Sequence, residues 1–437
     1  MKRTAILCSL MVLGFSLEGG EKIPLRTAVK NGLRLSESLQ NQILEEEAAG
    51  LSREAAERRK WFSIDAAASY LYRSEQMEIV FPSTTLGTGL VIPGKTLLAG
   101  TRNNYDFKAT LSQPLYLGGI LRLSERREEI NAAAERETTR MRRIEAATKI
   151  RMSFYTYRML LDKRQTLSYL AEIIDLHRKK MENLVQEELA RRSDLLERWT
   201  QAEETRMNIT DLGQMIESER ILFRRISGYD PSEIEDPPEE PEIVADEALR
   251  RFRQAHPLLR ALEERLRLLE VQKKIVSGSA LPQIAGFAEF HYARPGIDFF
   301  KNEWSPYFQG GINLAVPVFN WNKAQRDRAL VDIQVRKLLI QRDGFIADGE
   351  KSIRQLYERK KSLEAKLDNL ETLNRYSGED ARLKEKLYEE SQISNSDYLS
   401  ALIRRERYAS MKKEMTLERE LLETIIRSAI GTGEEEK

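Results

Sequence analysis

Two periods of hydrophobic and polar residues run along this chain, and they come in the same order twice. Residues 25–60 have helical composition, rich in Leu, Ala, Glu and Arg. From Phe62 the period drops to two. Phe62, Ile64, Ala66, Ala68, Tyr70 and Tyr72 are apolar or small, while Ser63, Asp65, Ser69 and Arg73 between them are polar. Such alternation predicts a strand with one wet face. A Gly- and Thr-rich loop, roughly 81–103, precedes a second alternating run, in which Tyr105, Phe107, Ala109 and Leu111 interleave with Asp106, Lys108, Thr110 and Ser112.

The pattern then repeats. Ile284, Gly286, Ala288, Phe290 and Tyr292 alternate with Gln283, Glu289 and His291. After a shorter loop, Phe308, Ile312, Leu314 and Val316 alternate with Gln309 and Asn313. Each copy predicts one hairpin of ~10-residue strands, the length of a tilted membrane-spanning strand. Pro114 and Pro317 are expected to stop the strands, since Pro cannot donate into a ladder but fits the start of a helix. Gly118–Gly119 and Asn320–Trp321–Asn322 then lead into helices of unusual length.

From about 119 to 187 nothing breaks the helical pattern, and Leu167, Leu170, Ile174, His177, Met181 and Leu184 form a heptad stripe. At 1.5 Å per residue such a helix reaches ~100 Å. A returning helix is predicted over 194–227. The second copy predicts 323–390 and 397–430, with Leu356, Leu363, Leu367 and Leu370 on the stripe.

The copies are a tandem duplication. Pro114 aligns with Pro317, Ser193–Asp194 with Ser396–Asp397 and Gly228 with Gly431, all 203 residues apart. Upstream the offset is 220, matching Ala28 with Ala248, Ile64 with Ile284 and Tyr72 with Tyr292. The 17-residue difference places an insertion in the first copy between Tyr72 and Pro114. The expected organisation is a first repeat over 21–228, with its β-hairpin at 62–113 and helix hairpin at 119–227. An acidic, Pro-rich linker over 229–246 follows, in extended or irregular form. A second repeat over 247–431 has its β-hairpin at 283–316 and helix hairpin at 323–430, and 432–437 is a tail.

Composition narrows the function classes. Charged residues make up 32% of the 437, with 70 Lys and Arg against 69 Asp and Glu, so there is no overall basic field for nucleic acid. Lys2 and Arg3 precede an apolar run from Ala5 to Leu17, then Glu18, Gly19 and Gly20. Residues 1–20 thus have the layout of a secretory signal, too short to span a membrane. Cys8 lies inside the apolar run, after Leu7, and does not read as a lipid-anchor cysteine. The mature chain then has no cysteine, which excludes disulfides, thiolate metal sites and cysteine nucleophiles. After residue 20 no run approaches the length of a transmembrane helix.

Candidate chemistry is sparse. Gly89-Leu90-Val91-Ile92-Pro93-Gly94-Lys95-Thr96 matches the phosphate-loop pattern literally, but that site needs a buried strand before it and a helix opening at its Thr. Here a second strand follows, so the segment reads as a hairpin loop. His177, His256 and His291 fall in three different elements, and none has a partner at metal-ligand spacing. His177 is expected to pack on the stripe, and His291 to sit on the wet strand face. No metal, cofactor or catalytic residue is assigned. The helix-hairpin turns remain: Glu188, Arg191, Arg192, Ser193 and Asp194 in one copy, and Ser391, Ser394, Ser396 and Asp397 in the other. Ser193 and Ser396, each before an acidic residue and an apolar helix, have N-cap chemistry.

Four strands with one apolar face do not close alone, since transmembrane barrels start at about eight strands. Open edges would leave backbone groups unsatisfied in lipid. The expectation is a barrel shared between chains, with eight strands from two or twelve from three.

At this point the residues resemble the TolC-type outer-membrane efflux proteins. Leu111-Ser112-Gln113-Pro114-Leu115-Tyr116-Leu117-Gly118-Gly119 looks like the strand-to-helix signature of that family, and Ala280-Leu281-Pro282-Gln283-Ile284 like its helix-to-strand approach. The duplication and tip Ser-Asp motifs extend the likeness over about 22–431. The resemblance implies a mainly helical fold with a membrane β-barrel part. It also implies a homotrimer whose twelve-stranded barrel in the outer membrane continues into a periplasmic helical tunnel. The partners implied are outer-membrane lipid, a periplasmic adaptor and an inner-membrane pump. Tyr388 and Asp397 match an aromatic and an acidic gate residue, with Asp194 at the equivalent of Asp397. The tip residues would contact the adaptor, and Pro114, Gly118, Gly119 and Pro317 would form the strand-to-helix transitions. The family's tip glycine is replaced by Glu188 and Ser391, a basic gate partner by Ile393, and a second acidic one by Ser400. The reading is a non-enzymatic exit duct without cofactors. The alternative is an exported coiled-coil structural or adhesive protein, and a third is a phosphate-loop ATPase dependent on Lys95.

Overall fold

The computed structural model describes residues 22–85, 87, 91–237, 241–390 and 392–433. The signal segment, Gly89 and Leu90 of the phosphate-loop match, Ser391 and residues 434–437 lie outside them. The chain opens with β1 (Ile23–Pro24), α1 (Leu25–Leu35) and α2 (Glu37–Arg58). The first hairpin follows as β2 (Ser63–Tyr72), β3 (Met77–Phe81), β4 (Thr84–Thr85), β5 (Val91–Ile92), β6 (Lys95–Ala99) and β7 (Asn103–Leu117). Then come α3 (Ile120–Gln186) and α4 (Arg192–Ser227). After a short 3-10 turn at Pro231–Glu233 come β8 (Ile234–Glu235), α5 (Ala245–Ala255) and α6 (Pro257–Gly278). The second copy continues with β9 (Gln283–Arg294), β10 (Ser305–Ala315), α7 (Lys323–Glu389) and α8 (Asn395–Ala429).

The two compact units do not follow the repeats. One takes the chain up to Ile43, Thr139–Pro257 and Phe345 onward; the other takes Leu44–Thr138 and Leu258–Gly344. Each draws on both copies, and α3 and α7 contribute to both.

The second of these units holds a four-stranded antiparallel sheet in the order β10-β9-β7-β2. Its register places Ala68, Phe107, Tyr292 and Pro306 in one row across the sheet, and Ala66, Ala109, Phe290 and Phe308 in the next. These rows carry the apolar side of the period-2 pattern, and they are open: Ile64, Phe308 and Ile312 are 66%, 69% and 70% exposed. The opposite rows are polar, as in Lys108, His291 and Tyr307. β2 and β10 are the free edges, and the sheet does not close on itself.

Two expectations change here. Pro114 does not end its strand, because β7 runs on to Leu117 with a register shift between Pro114 and Tyr116. The extra residue of a bulge lets a strand pass a proline that cannot donate. Pro317 does lie past the end of β10. The insertion is also not a plain loop: β3 pairs with β6 and β4 with β5, as two short antiparallel ladders separate from the main sheet. Lys95 and Thr96 sit on β6 opposite Phe81 and Val80, so no helix opens at Thr96 as a phosphate loop requires.

The core of the other unit packs α1 against the long helices. Leu25, Ala28, Val29, Ala147, Ile150, Phe154, Phe223 and Ile234 form one buried cluster. Ile174, Leu363 and Leu370 of the predicted stripes are buried, and the other stripe residues are partly covered. Gly32 admits α1 close to α3 and α4, since a Cβ there would strike Ile150 and the Ile226 carbonyl. At its 220-offset counterpart stands Phe252, whose ring presses on Gly349 of α7. The small residue has changed sides.

The acidic connector is held down in this unit. β8 pairs in parallel with β1. Arg220 donates to Asp230 at 2.7 Å, Arg158 to Asp236 at 2.8 Å, and the Tyr357 hydroxyl to the Ile243 carbonyl at 2.6 Å. Lys360, only 4% exposed, donates to Glu242 at 2.6 Å and also pairs with Glu423. The connector, expected in extended or irregular form, is in its described residues held down as a packed strap.

Candidate channel wall and hairpin tips

The strand-to-helix junctions show why the sequence reads as it does there. Gly118 and Gly119 adopt φ of 60° and 78°, a region glycine enters without steric cost. A Cβ on Gly118 would meet the Gly278 carbonyl at the end of α6, so this junction also has no room for a side chain. The residues 203 positions on are Trp321 and Asn322, and they take the same conformation, with φ of 53° and 54°. The turn survives in the second copy without its glycines. Phe319 packs edge-on to Trp321 at 4.9 Å, and both rings remain exposed.

On the polar side of the sheet the side chains join across strands. Glu289 accepts from Gln309 at 2.6 Å and from Thr110 at 3.2 Å, and Lys108 lies 3.5 Å from it. His291 Nδ1 is 3.0 Å from Asp106, and its ring stacks on Tyr307 with centroids 4.5 Å apart. His291 is on the predicted face, but its neighbours bury it instead of leaving it wet. Among the described residues no group of His, Cys, Asp and Glu could hold a metal ion.

The two helix-hairpin tips are near copies. The Leu189 N–H donates to the Leu184 carbonyl and the Gln392 N–H to the Leu387 carbonyl, both at 2.8 Å. In the first copy this bond closes a Schellman turn, which needs a left-handed residue just after the helix. That residue is Glu188, with φ of 58°. The turn therefore explains why glycine suits this place and why Glu188 strains it.

The tips differ at the helix start. α8 is capped by Ser394, whose Oγ accepts from the Asp397 N–H at 3.2 Å and donates to the Asp397 carboxylate at 2.7 Å. In α4 the equivalent cap is Arg191, with no side-chain hydrogen bond. The expected caps were Ser193 and Ser396. Both instead lie within the first turn of their helices, because each helix begins earlier, at Arg192 and Asn395. Ser193 donates to Asp194 at 3.2 Å. Both Asp194 and Asp397 stand in first turns, where the helix dipole favours negative charge. Tyr388, 40% exposed, stacks on Tyr398 with centroids 5.4 Å apart. Burial, then the charge of nearby Glu385, raises the Tyr398 pKa. Tyr398 was missed from sequence; an aromatic ten residues after Tyr388, across a five-residue turn, was the available signal.

In the same unit His177 is half-buried, and burial followed by the charges of Arg198 and Lys180 lowers its pKa. His256, 3% exposed, packs between Phe252 and Phe345, and burial lowers its pKa to about 4.

No family model matches this sequence, and no curated protein matches it. Solved structures do match. The Campylobacter jejuni CmeC outer membrane channel is 14% identical, with a TM-score of 0.73 over 100% of this chain and 94% of that one. The Vibrio cholerae outer membrane protein VceC is 14% identical, with a TM-score of 0.71 over 94% of this chain and 96% of its own. The Neisseria gonorrhoeae MtrE outer membrane channel, in its open state, is 15% identical, with a TM-score of 0.70 over 94% of this chain and 89% of its own. The chain has the fold of these outer-membrane channels, which is the fold implied by the TolC-type resemblance.

Proposed function

We propose that this chain is a passive outer-membrane exit duct, acting as a homotrimer that receives cargo from a periplasmic adaptor and an inner-membrane pump. The observation that carries the reading is the sheet: four strands, one exposed apolar face, one polar face and two unpaired edges. Such a sheet is satisfied in lipid only if neighbouring chains pair β10 to β2 and close a barrel. Three chains give twelve strands, polar inside and apolar outside. The long α3, α4, α7 and α8 hairpins would form the wall of a periplasmic tunnel. Their tips, with Glu188, Arg191, Arg192, Ser193, Ser391, Ser394 and Ser396, would meet the adaptor. Tyr388, Asp194 and Asp397 would line the gate. The fold of solved outer-membrane channels supports this reading, as does the absence of a phosphate-loop helix at Thr96.

Cell fractionation and planar-bilayer recording test it. The expected result is a trimer in the outer-membrane fraction that dissociates on heating and conducts ions in liposomes. A monomer in the soluble periplasm, or an oligomer that never conducts, would sink the reading.

A further inference from the structure

The apolar side of the sheet carries one charge. Among the described residues of β2, β7, β9 and β10, the rows that contain Phe107 and Tyr292 hold apolar, small or neutral polar residues, with the single exception of Arg294. Arg294 is the last residue of β9 and lies directly opposite Tyr105, at the end of the sheet where the hairpin loops leave. The same end carries the rings. Trp304 lies 5.7 Å from Tyr105, 5.9 Å from Phe107 and 5.1 Å from Tyr292 by ring centroid, and Tyr70 lies 5.1 Å from Tyr105.

Tyr and Trp rings at the rim of an apolar barrel face mark the depth of lipid headgroups. A guanidinium is costly at the bilayer midplane but nearly free at that depth. Arg294 Nε donates to Oδ1 of the Asn302 side chain at 3.0 Å, and Arg294 has no ion pair among the described residues. Asn302 thus orients the guanidinium and leaves its terminal nitrogens for another acceptor. The side-chain nitrogen of Asn302, on the same amide group, is a further donor. A planar fork with spare donors fits a phosphate group, which it binds through two parallel hydrogen bonds.

We propose that Arg294, with Asn302 and the Tyr105–Tyr292–Trp304 patch, binds the phosphate-bearing headgroup of an anionic lipid in the leaflet at the hairpin-loop end. The proposal rests on the duct reading, which puts this sheet in a membrane. Three chains would present three such sites around the barrel rim.

The test reconstitutes the purified oligomer in phosphatidylcholine vesicles containing a minority of phosphatidylglycerol. Vesicle flotation reports insertion, and native mass spectrometry of the released oligomer counts the lipids retained. The wild type is expected to enrich phosphatidylglycerol about tenfold over its share of the vesicle, because phosphatidylcholine carries the same phosphate but its quaternary ammonium cancels the net negative charge that the guanidinium attracts. Arg294→Gln should abolish the enrichment and Arg294→Lys should keep part of it. Lys301→Gln, which removes a cation already paired with Asp298, should leave it unchanged. Equal resistance of the Gln and Lys variants to heat dissociation shows that both fold. Equal enrichment in wild type and Arg294→Gln overturns the site, as does retention of phosphatidylcholine in equal measure. Failure to float overturns the duct reading itself, and the site with it.

Discussion

Gly118 and Trp321 hold equivalent places in the two copies and share a left-handed backbone, φ 60° in one and 53° in the other. The conformation belongs to the junction and not to the residue. A glycine enters it freely, whereas a residue with a Cβ gives up about 1–2 kcal/mol there. Gly119→Ala, with open space around the new carbon, should lower stability by about that amount. Gly118→Ala should cost clearly more, because the added Cβ also meets the Gly278 carbonyl. Thermal dissociation of the two variants separates strain from collision. Equal losses would remove the contact with Gly278 from the account.

Lys360 joins the connector to the second long hairpin. Replacing it with Met leaves the carboxylates of Glu242 and Glu423 without their shared cation. The expected loss is about 2–3 kcal/mol, below that of a fully buried pair because Glu242 stays open to solvent. The clamp also has a pH window. Hydrogen bonding from Lys360, then its charge, lowers the Glu242 pKa, so its contribution is present above 4.5 and is lost as pH falls through the lowered value. Burial disfavours the Lys360 charge, but its bonds to Glu242 and Glu423 more than offset this and raise its pKa. Its contribution is therefore present below 10.5 and is lost as pH rises through the raised value. The protection of the backbone amides of residues 242–244 against hydrogen exchange, relative to the intrinsic rate at each pH, should fall outside that window in the wild type and show no such window in Lys360→Met.

His256 gives a second pH dependence, of opposite origin. Its pKa falls from 6.5 to about 4 because burial disfavours the imidazolium. The unfolded chain therefore binds the proton first. Stability is full above 6.5, falls as pH drops toward about 4, and levels off below, a loss of about 3 kcal/mol. Denaturant titrations of wild type and His256→Phe between these values should diverge in slope. Parallel curves would mean that the acid sensitivity lies elsewhere.

At the second tip, cap and charge separate by substitution. Ser394→Ala removes the hydroxyl that accepts from the Asp397 N–H and should cost about 1 kcal/mol of local helix stability without altering the charge at the proposed mouth. Asp397→Ala should in addition change single-channel conductance or cation block, since in the proposed trimer a ring of these carboxylates would focus cations. If conductance and block are the same in both variants, Asp397 acts only as a cap partner.

The large elements were legible in the sequence because their signals are long. The predicted helix over 323–390 meets the observed Lys323–Glu389, and the predicted 119–187 meets Ile120–Gln186. Local rules failed where a neighbouring element supplies what they assume is missing. Pro114 reads as a terminator, yet β9 holds its strand through a bulge. Ser396 reads as a cap, but the five-residue turn admits an earlier start and gives the role to Ser394. The αL position at Trp321 carries no local signal, and only the 203-residue offset from Gly118 points to it, whereas Asn322 is of a residue type that enters that region readily. His291 followed the strand alternation correctly; its burial depends on Asp106 and Tyr307 from two other strands, which alternation does not report.

The seam between β7 and β9 has a kinetic consequence. It joins the last strand of one copy to the first strand of the next inside a single polypeptide, so its partners meet at the high effective concentration a tether provides. A closing seam between β10 of one chain and β2 of another has no such tether and must wait for diffusion. In the proposed twelve-stranded ring, half of the hairpin-to-hairpin seams would thus form as each chain folds, and the remainder would set an assembly rate that rises with protein concentration. A duct built from unfused half-length copies would make every seam by collision, so duplication shortens the time for which bare strand edges are exposed.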